Sequence, residues 1–272
     1  MRSVSHTSGV SGLDQPAQRE DLYDTRSAAA RMARQRPWWR PGSASGYHVL
    51  NYCHLIGELV FRLTGMSLGE YVAHRIVAPS HTDFQFGLKA SDLGRVANVI
   101  VPESGNATTA PDPRSVAGKT LSGPPFTAEA ANSDRWQTAE LGAANGHSSA
   151  AALCEILAPL ARGGAATFGR TLSQSTIDLI FDEQSCGVDL VYGLHLRWGI
   201  GYAPADRRTL TWIPQGRVAF WGGWGGSTVL MDLDRRVTIS YVMNRMGSDL
   251  LGSSRAAAYI TSLYRELPAT RS

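Results

Sequence analysis

Residues 37–65 read PWWRPGSASGYHVLNYCHLIGELVFRLTG, and this stretch decides how the rest of the chain is read. Its first ten residues are broken by Pro37, Pro41, Gly42 and Gly46, residues that interrupt regular structure and mark a turn. The turn presents Tyr47 just ahead of a helix. From Tyr52 onward Leu55, Ile56, Leu59, Val60 and Leu63 recur at three- and four-residue intervals, which predicts an amphipathic helix with that stripe packed inward. His54, Glu58 and Arg62 fall off the stripe, and Thr64-Gly65 supplies the stop. A tyrosine fixed at the mouth of such a helix is held as rigidly as a proton-transfer group must be. A core tyrosine is held just as rigidly, so position alone leaves both readings open.

The 272 residues, 43% of them hydrophobic, are enough to bury a sizeable core. The expected organisation is a single domain over 1–272, with 14–190 a mainly helical lobe and 191–272 the C-terminal strands and closing helix. The formal charge is only +3 and all but two of the basic residues are arginine. Arg31, Arg34, Arg36 and Arg40 cluster around Trp38 and Trp39, a pattern that fits a solvated helix end running into a packed turn better than a nucleic-acid stripe. Cys53, Cys154 and Cys186 are odd in number and far apart, which gives neither a disulfide framework nor zinc spacing. His48 with His54, and His74 with His81, also lack metal spacing, so no metal and no cofactor are expected. No apolar run approaches the roughly 18 residues of a membrane span, and Met1–Val10 has no signal-peptide core. A cytoplasmic location is expected.

In chain order, Met1–Leu13 is polar and glycine-broken, a loop. Helix is expected over about 20–35. Ser67 with Glu70 forms a capping box opening a second helix that Pro79 ends, with Leu68, Tyr71 and Val72 inward. Residues 80–140 read as a long connection with short helical pieces. Asn145-Gly146-His147 leads into a helix through Arg162 that buries Ile156, Leu157 and Leu160, and Gly163-Gly164 stops it. Ser173 caps another carrying Ile177, Ile180 and Phe181. After that the period changes to two: 195–202, 218–221, 227–233 and 237–244 read as strands, with the clearest turn at Asp232–Arg236. A last helix spans about 252–267. Helices first and an antiparallel meander after them is an α+β arrangement.

Several blocks carry a family resemblance: SHTSGVSGLDQPAQREDLYD (5–24), PGSASGYHVLN (41–51), LIGELVFRLTGMSLGEYVAHRIVAP (55–79), ANGHSSAAALCEILAPLARGG (144–164), LRWGIGY (196–202) and FWGGWGGSTVLMDLDRRVTISYVMNRMG (220–247). In this order they resemble the serine β-lactamase-like hydrolases, and within them the branch related to class C β-lactamases called family VIII carboxylesterases. The resemblance implies a β-lactamase/transpeptidase-like fold and a small acyl ester as substrate, with no nucleic-acid partner; the oligomeric state is left open. In that family a tyrosine after a Pro-Gly turn partners a Ser-x-x-Lys nucleophile, and Tyr47 matches it. Trp221-Gly222-Gly223 matches the position where lactamases carry Lys-Thr-Gly, and the N–H of Trp224 would be an oxyanion donor. With Trp221 in place of lysine, no cation there pairs with a β-lactam carboxylate, and Val49 replaces the usual asparagine of Tyr-x-Asn. Without the resemblance, Gly222–Gly226 reads as a bulge or tight hairpin.

Acyl transfer of this type needs a serine activated by lysine, a proton-moving tyrosine and an oxyanion hole. The spacing in Ser-x-x-Lys puts both side chains on one face of a helical turn. This sequence has only Lys89 and Lys119, preceded three residues earlier by Phe86 and Val116, so it contains no Ser-x-x-Lys and no Gly-x-Ser-x-Gly either. Ser5, Ser8 and Ser227 are hydroxyls without a lysine partner, and His6 and His147 read as structural. Because the SHTSG segment lies downstream of the catalytic serine in the resembled family, the N-terminal strands and the Ser-x-x-Lys helix are expected to be missing. The sheet should then expose an edge. The leading expectation is an esterase-like serine hydrolase inactive as written. A catalytically silent binding or scaffold domain comes second, and a β-lactamase or penicillin-binding protein third.

Overall fold

The computed structural model describes residues 2–102, 111–123, 127–167 and 169–268, so parts of the long 80–140 connection lie outside the described residues. The main sheet has four antiparallel strands in the order β10-β9-β8-β7, where β7 is Ala203–Pro204, β8 Val218–Gly222, β9 Thr228–Asp232 and β10 Val237–Tyr241. Pairing of Phe220 with Leu230 and of Ala219 with Met231 sends neighbouring pairs to opposite faces. On one face Val218, Phe220 and Leu230 pack with Leu196, Trp198, Ile213 and Ile260 of the C-terminal helix, Ser254–Glu266. On the other, Ala219 and Met231 pack with Ala161, Ile177 and Ile180. The sheet is therefore covered on both faces, which its nearly continuous buried run on β8 reflects.

Helices lead and the meander follows, as an α+β arrangement requires. Three two-stranded ribbons punctuate the helical part: β1 (Phe84–Phe86) with β2 (Gly146–Ser148), β3 (Ala165–Ala166) with β4 (Gly169–Arg170), and β5 (Ser185–Val188) with β6 (His195–Trp198). The helix α1, Thr25–Arg34, is capped by Asp24, which accepts from the Ser27 N–H. The helix α2, Tyr52–Thr64, ends at Gly65, whose φ of 74° is the left-handed stop its sequence predicts.

Two expectations are corrected. The buried residues of α2 are Cys53, His54 and Gly57, not the leucine stripe; Leu59 and Leu63 are 50% and 74% exposed. The cause is the approach of α1: a Cβ on Gly57 would lie 2.8 Å from the Thr25 methyl, so the small residues face the neighbour. His54, expected off the packed face, is buried with Nε2 2.9 Å from the Leu22 carbonyl. The helix opened by the Ser67–Glu70 box continues past Pro79, through Leu68–Val72, a wider turn at Ala73–Val77 and a last turn at Ala78–Ser80. Pro79 stands in the first positions of that last turn, after the wider turn.

The N-terminal loop is a loop, but a buried one. Trp38, Gly42 and Gly46 donate backbone hydrogen bonds to Gly9, Thr7 and His6 respectively, at 2.8–2.9 Å. The loop is thereby pinned along the Pro-Gly turn. Gly9 is required there: its φ is 88°, and a Cβ would lie 2.7 Å from the Trp39 carbonyl oxygen.

Candidate active site

The pinned turn delivers Tyr47 to the sheet. Its backbone N–H donates to Asp189 Oδ1 at 3.1 Å, and Asp189 Oδ1 also accepts from the N–H groups of Val191 and Tyr192. One buried carboxylate thus fixes both the turn and the loop that joins β5 to β6. That loop lays Tyr192 on Tyr47, with ring centroids 4.7 Å apart and planes 20° from parallel. Trp198, Trp221 and His6 close a cage around the phenol at centroid distances of 6.0, 5.1 and 4.8 Å.

Of the residues picked from the sequence, Tyr47 and Trp221 meet: the indole Nε1–H of Trp221 donates to the Tyr47 hydroxyl at 3.0 Å, across 174 positions. Gly222 and Gly223 follow on the same strand end, and Gly223 donates its N–H to Ser227 at 2.8 Å. A Cβ on Gly223 would meet nothing within 4 Å, so open space lies over it. Trp224 is 45% exposed, and its backbone N–H has no acceptor among the described residues. The glycines the protein itself requires are further round the hairpin, Gly225 and Gly226, with φ of 93° and 114°.

Burial raises the Tyr47 pKa; the Trp221 N–H works against that and the Asp189 charge adds to it. Tyr47 is therefore a phenol whose oxygen accepts from Trp221 while its own proton has no acceptor among the described residues. Burial keeps the group a neutral phenol, able to offer its proton as a hydrogen bond but a weaker acid than a free tyrosine. Two buried polar atoms at the cage have no partner among the described residues, Asp189 Oδ2 and Trp198 Nε1. Each costs about 1–3 kcal/mol while unsatisfied.

Ser8, which lacks a lysine, has a histidine instead. Its Oγ lies 2.6 Å from His48 Nε2, and His48 Nδ1 lies 2.8 Å from the Gly46 carbonyl. The carbonyl accepts from Nδ1–H, which leaves Nε2 to accept from the Ser8 hydroxyl. Burial lowers His48 to about 4, so it is a poor base, and a neutral carbonyl stands where a triad needs a carboxylate. The pair is a clamp between the loop and the turn. Ser5 is fully buried against Thr7. Ser227 accepts from the Met243 N–H at 3.2 Å and lines a cleft of about 630 Å³ with Gln85, His147 and Asn244 among others.

The sequence reading missed Asp189, Tyr192 and Trp198. Asp189 and Gly193 bracket a turn between two alternating runs, a signal for the loop but not for its target.

A family model described as Beta-lactamase matches residues 4–261, and the chain belongs to that family. Among solved structures, a family VIII carboxylesterase is similar at 30% identity and a TM-score of 0.87, over 98% of this chain and 70% of that one. A penicillin-binding protein homologue from Caulobacter crescentus is similar at 31% and 0.85, over 98% and 70%. EstA from Arthrobacter nitroguajacolicus Rue61a follows at 26% and 0.84, over 97% and 71%. No curated protein matches the chain. It is a β-lactamase-family hydrolase by descent, with carboxylesterases among its structural neighbours.

Proposed function

We propose that this chain carries the proton-transfer and oxyanion half of a carboxylic ester hydrolase that works through an acyl-enzyme, and that it is inactive by itself because it holds no Ser-x-x-Lys. The reading rests on one observation above all, the 3.0 Å contact between the Trp221 indole and the Tyr47 hydroxyl. That contact holds the Tyr47 hydroxyl by its oxygen, so its proton would be the one offered to a leaving alkoxide. The unpaired Trp224 N–H beside the open space over Gly223 would receive the carbonyl oxygen as it gains charge. Trp221 offers no cation to a carboxylate, so a neutral acyl ester fits better than a β-lactam. Without a nucleophile, what is left is assistance of roughly 10³–10⁴ over water at best.

A silent binding domain is the second reading, supported by the absence of a lysine beside Tyr47 and by the burial that keeps it protonated. Purified protein incubated with a short p-nitrophenyl ester and a fluorophosphonate probe should show neither turnover nor labelling. Stoichiometric labelling of a serine would overturn the proposal, and peptide mapping would name it, with Ser8 and Ser227 first to check. Activity gained when a Ser-x-x-Lys segment is supplied ahead of Met1, and lost again in Tyr47→Phe, separates the hydrolase reading from the silent one.

A further inference from the structure

On the outer side of the β5–β6 ribbon, away from the aromatic cage, three metal-binding side chains converge. The register pairs Cys186 with Arg197 and Val188 with His195, so Cys186 and His195 are diagonal neighbours on one face. Asp206, just after β7, reaches the same point. Cys186 Sγ lies 3.5 Å from His195 Nε2, His195 Nε2 lies 3.7 Å from Asp206 Oδ2, and all three donor atoms fall within 4.8 Å of one another. With metal–sulfur bonds of about 2.3 Å and metal–nitrogen or –oxygen bonds of about 2.0–2.1 Å, the edges of a tetrahedral zinc site are about 3.4–3.5 Å. Two of the three edges are therefore within a few tenths of an ångström of that figure. Among the described residues this is the one group of three such ligands.

We propose that Cys186, His195 and Asp206 form a binding site for a borderline divalent cation, zinc above all, with a fourth position open to water. A thiolate, an imidazole and a carboxylate suit zinc rather than magnesium or calcium, which take oxygen ligands. Two anionic ligands neutralise the ion, and the Cys186 thiol proton leaves to solvent as the metal–sulfur bond forms. His195 binds through Nε2 and keeps its proton on Nδ1. A cation already stands at this point: Arg208 Nη2 is 2.5 Å from Asp206 Oδ2 and 3.6 Å from Cys186 Sγ. Its side chain is 62% exposed, so it can swing into solvent as the ion arrives. The bound ion would staple the ribbon to the segment after β7 and brace, from outside, the loop that holds Tyr192 on Tyr47.

No short-range spacing betrays this site. Its ligands sit at 186, 195 and 206, and only the ribbon register and the return of the chain through β7 bring them together, which is why the sequence led to an expectation of no metal.

The test is titration of the metal-free full chain with Zn²⁺, and with Co²⁺ as a spectroscopic stand-in. One equivalent should bind, and the cobalt form should show thiolate-to-metal charge transfer in the near-ultraviolet. Cys186→Ser should weaken zinc binding by roughly a hundredfold or more, while Arg208→Ala, which frees the carboxylate, should tighten it by roughly tenfold. Zinc should also protect the exposed Cys186 of the unaltered protein from alkylation, with Cys154 as the internal control. Absence of the charge-transfer band, undiminished zinc binding in Cys186→Ser, or alkylation of Cys186 unaffected by zinc would each overturn the proposal.

Discussion

His6 and His48 are buried beside Tyr47, and both are held well below the usual imidazole range by burial, His48 at about 4. A histidine whose folded pKa lies below its unfolded value is neutral in the native state, so the unfolded chain binds protons first as the pH falls. Its contribution is complete above about pH 6.5 and is lost between there and about 4. For His48 alone the span corresponds to about 3 kcal/mol. The carboxylates lowered by hydrogen bonds, Asp206 from Arg208, Asp21 from the Gln18 N–H with Arg31 adding, and Asp178 from Gln174 with Arg217 adding, lose their contribution only as the pH falls below the ordinary carboxylate range, below most of the histidine window. Thermal unfolding should therefore be flat above pH 7 and should fall steadily from 6.5 to 4.5, with His48→Gln flattening part of the slope. A midpoint that does not move across that interval would refute the account. Of the site itself, Tyr47 and Trp221 were reached through the resemblance of their flanking blocks. Periodicity alone would have left Tyr47 a core aromatic, and nothing local announces that Trp198 and Tyr192 share its cage.

The β8–β9 hairpin shows what one turn asks of each glycine. Gly226 has φ of 114°, and a Cβ there would lie 2.7 Å from Ser253 Cβ; Gly223 has open space. Gly226→Ala should cost roughly 2–4 kcal/mol in denaturant unfolding, from backbone strain with a steric clash added. Gly223→Ala should stay within about 1 kcal/mol. Equal losses in the two variants would mean that the turn, not the cleft, accounts for both. Strands and caps were readable because they are local: alternation marks β8 to β10, and Ser67 and Ser173 accept the N–H bonds that cap their helices. The packed face of α2 was not, because a helix buries whichever side its neighbour approaches. Thr25 and Gly57 allow α1 to come close, and that contact outranks the leucine stripe. In the helix Ala150–Ala161, likewise, Ile156, Leu157 and Leu160 are half-buried while Ala152, Ala158 and Ala161 take the tightest positions.

At the scale of the molecule, large apolar side chains stand exposed in several places, two of them on helices. Leu59 and Leu63 stand out on α2, and Tyr259 and Leu263 stand out on the C-terminal helix, where Tyr259 lies against Tyr241 of the edge strand β10. In the four-stranded sheet β10 has a strand neighbour on one side only, β9. Uncovered apolar residues and a free edge favour association between chains. Sedimentation over a range of concentrations should therefore show self-association, reduced in a Leu59→Glu, Leu63→Lys variant whose melting point is unchanged. A monodisperse monomer at every concentration would refute it. No helix among the described residues is long and apolar enough to cross a membrane. Finally, the hydrogen bond from Trp221 to Tyr47 closes a loop of 174 positions. Contacts so distant along the chain carry a loop-closure cost that local contacts avoid. The helical turn that carries Tyr47 and the hairpin that carries Trp221 can each form locally, but the cage between them belongs to neither. The cage then forms only when the two docked parts meet, and the indoles that line it report that docking.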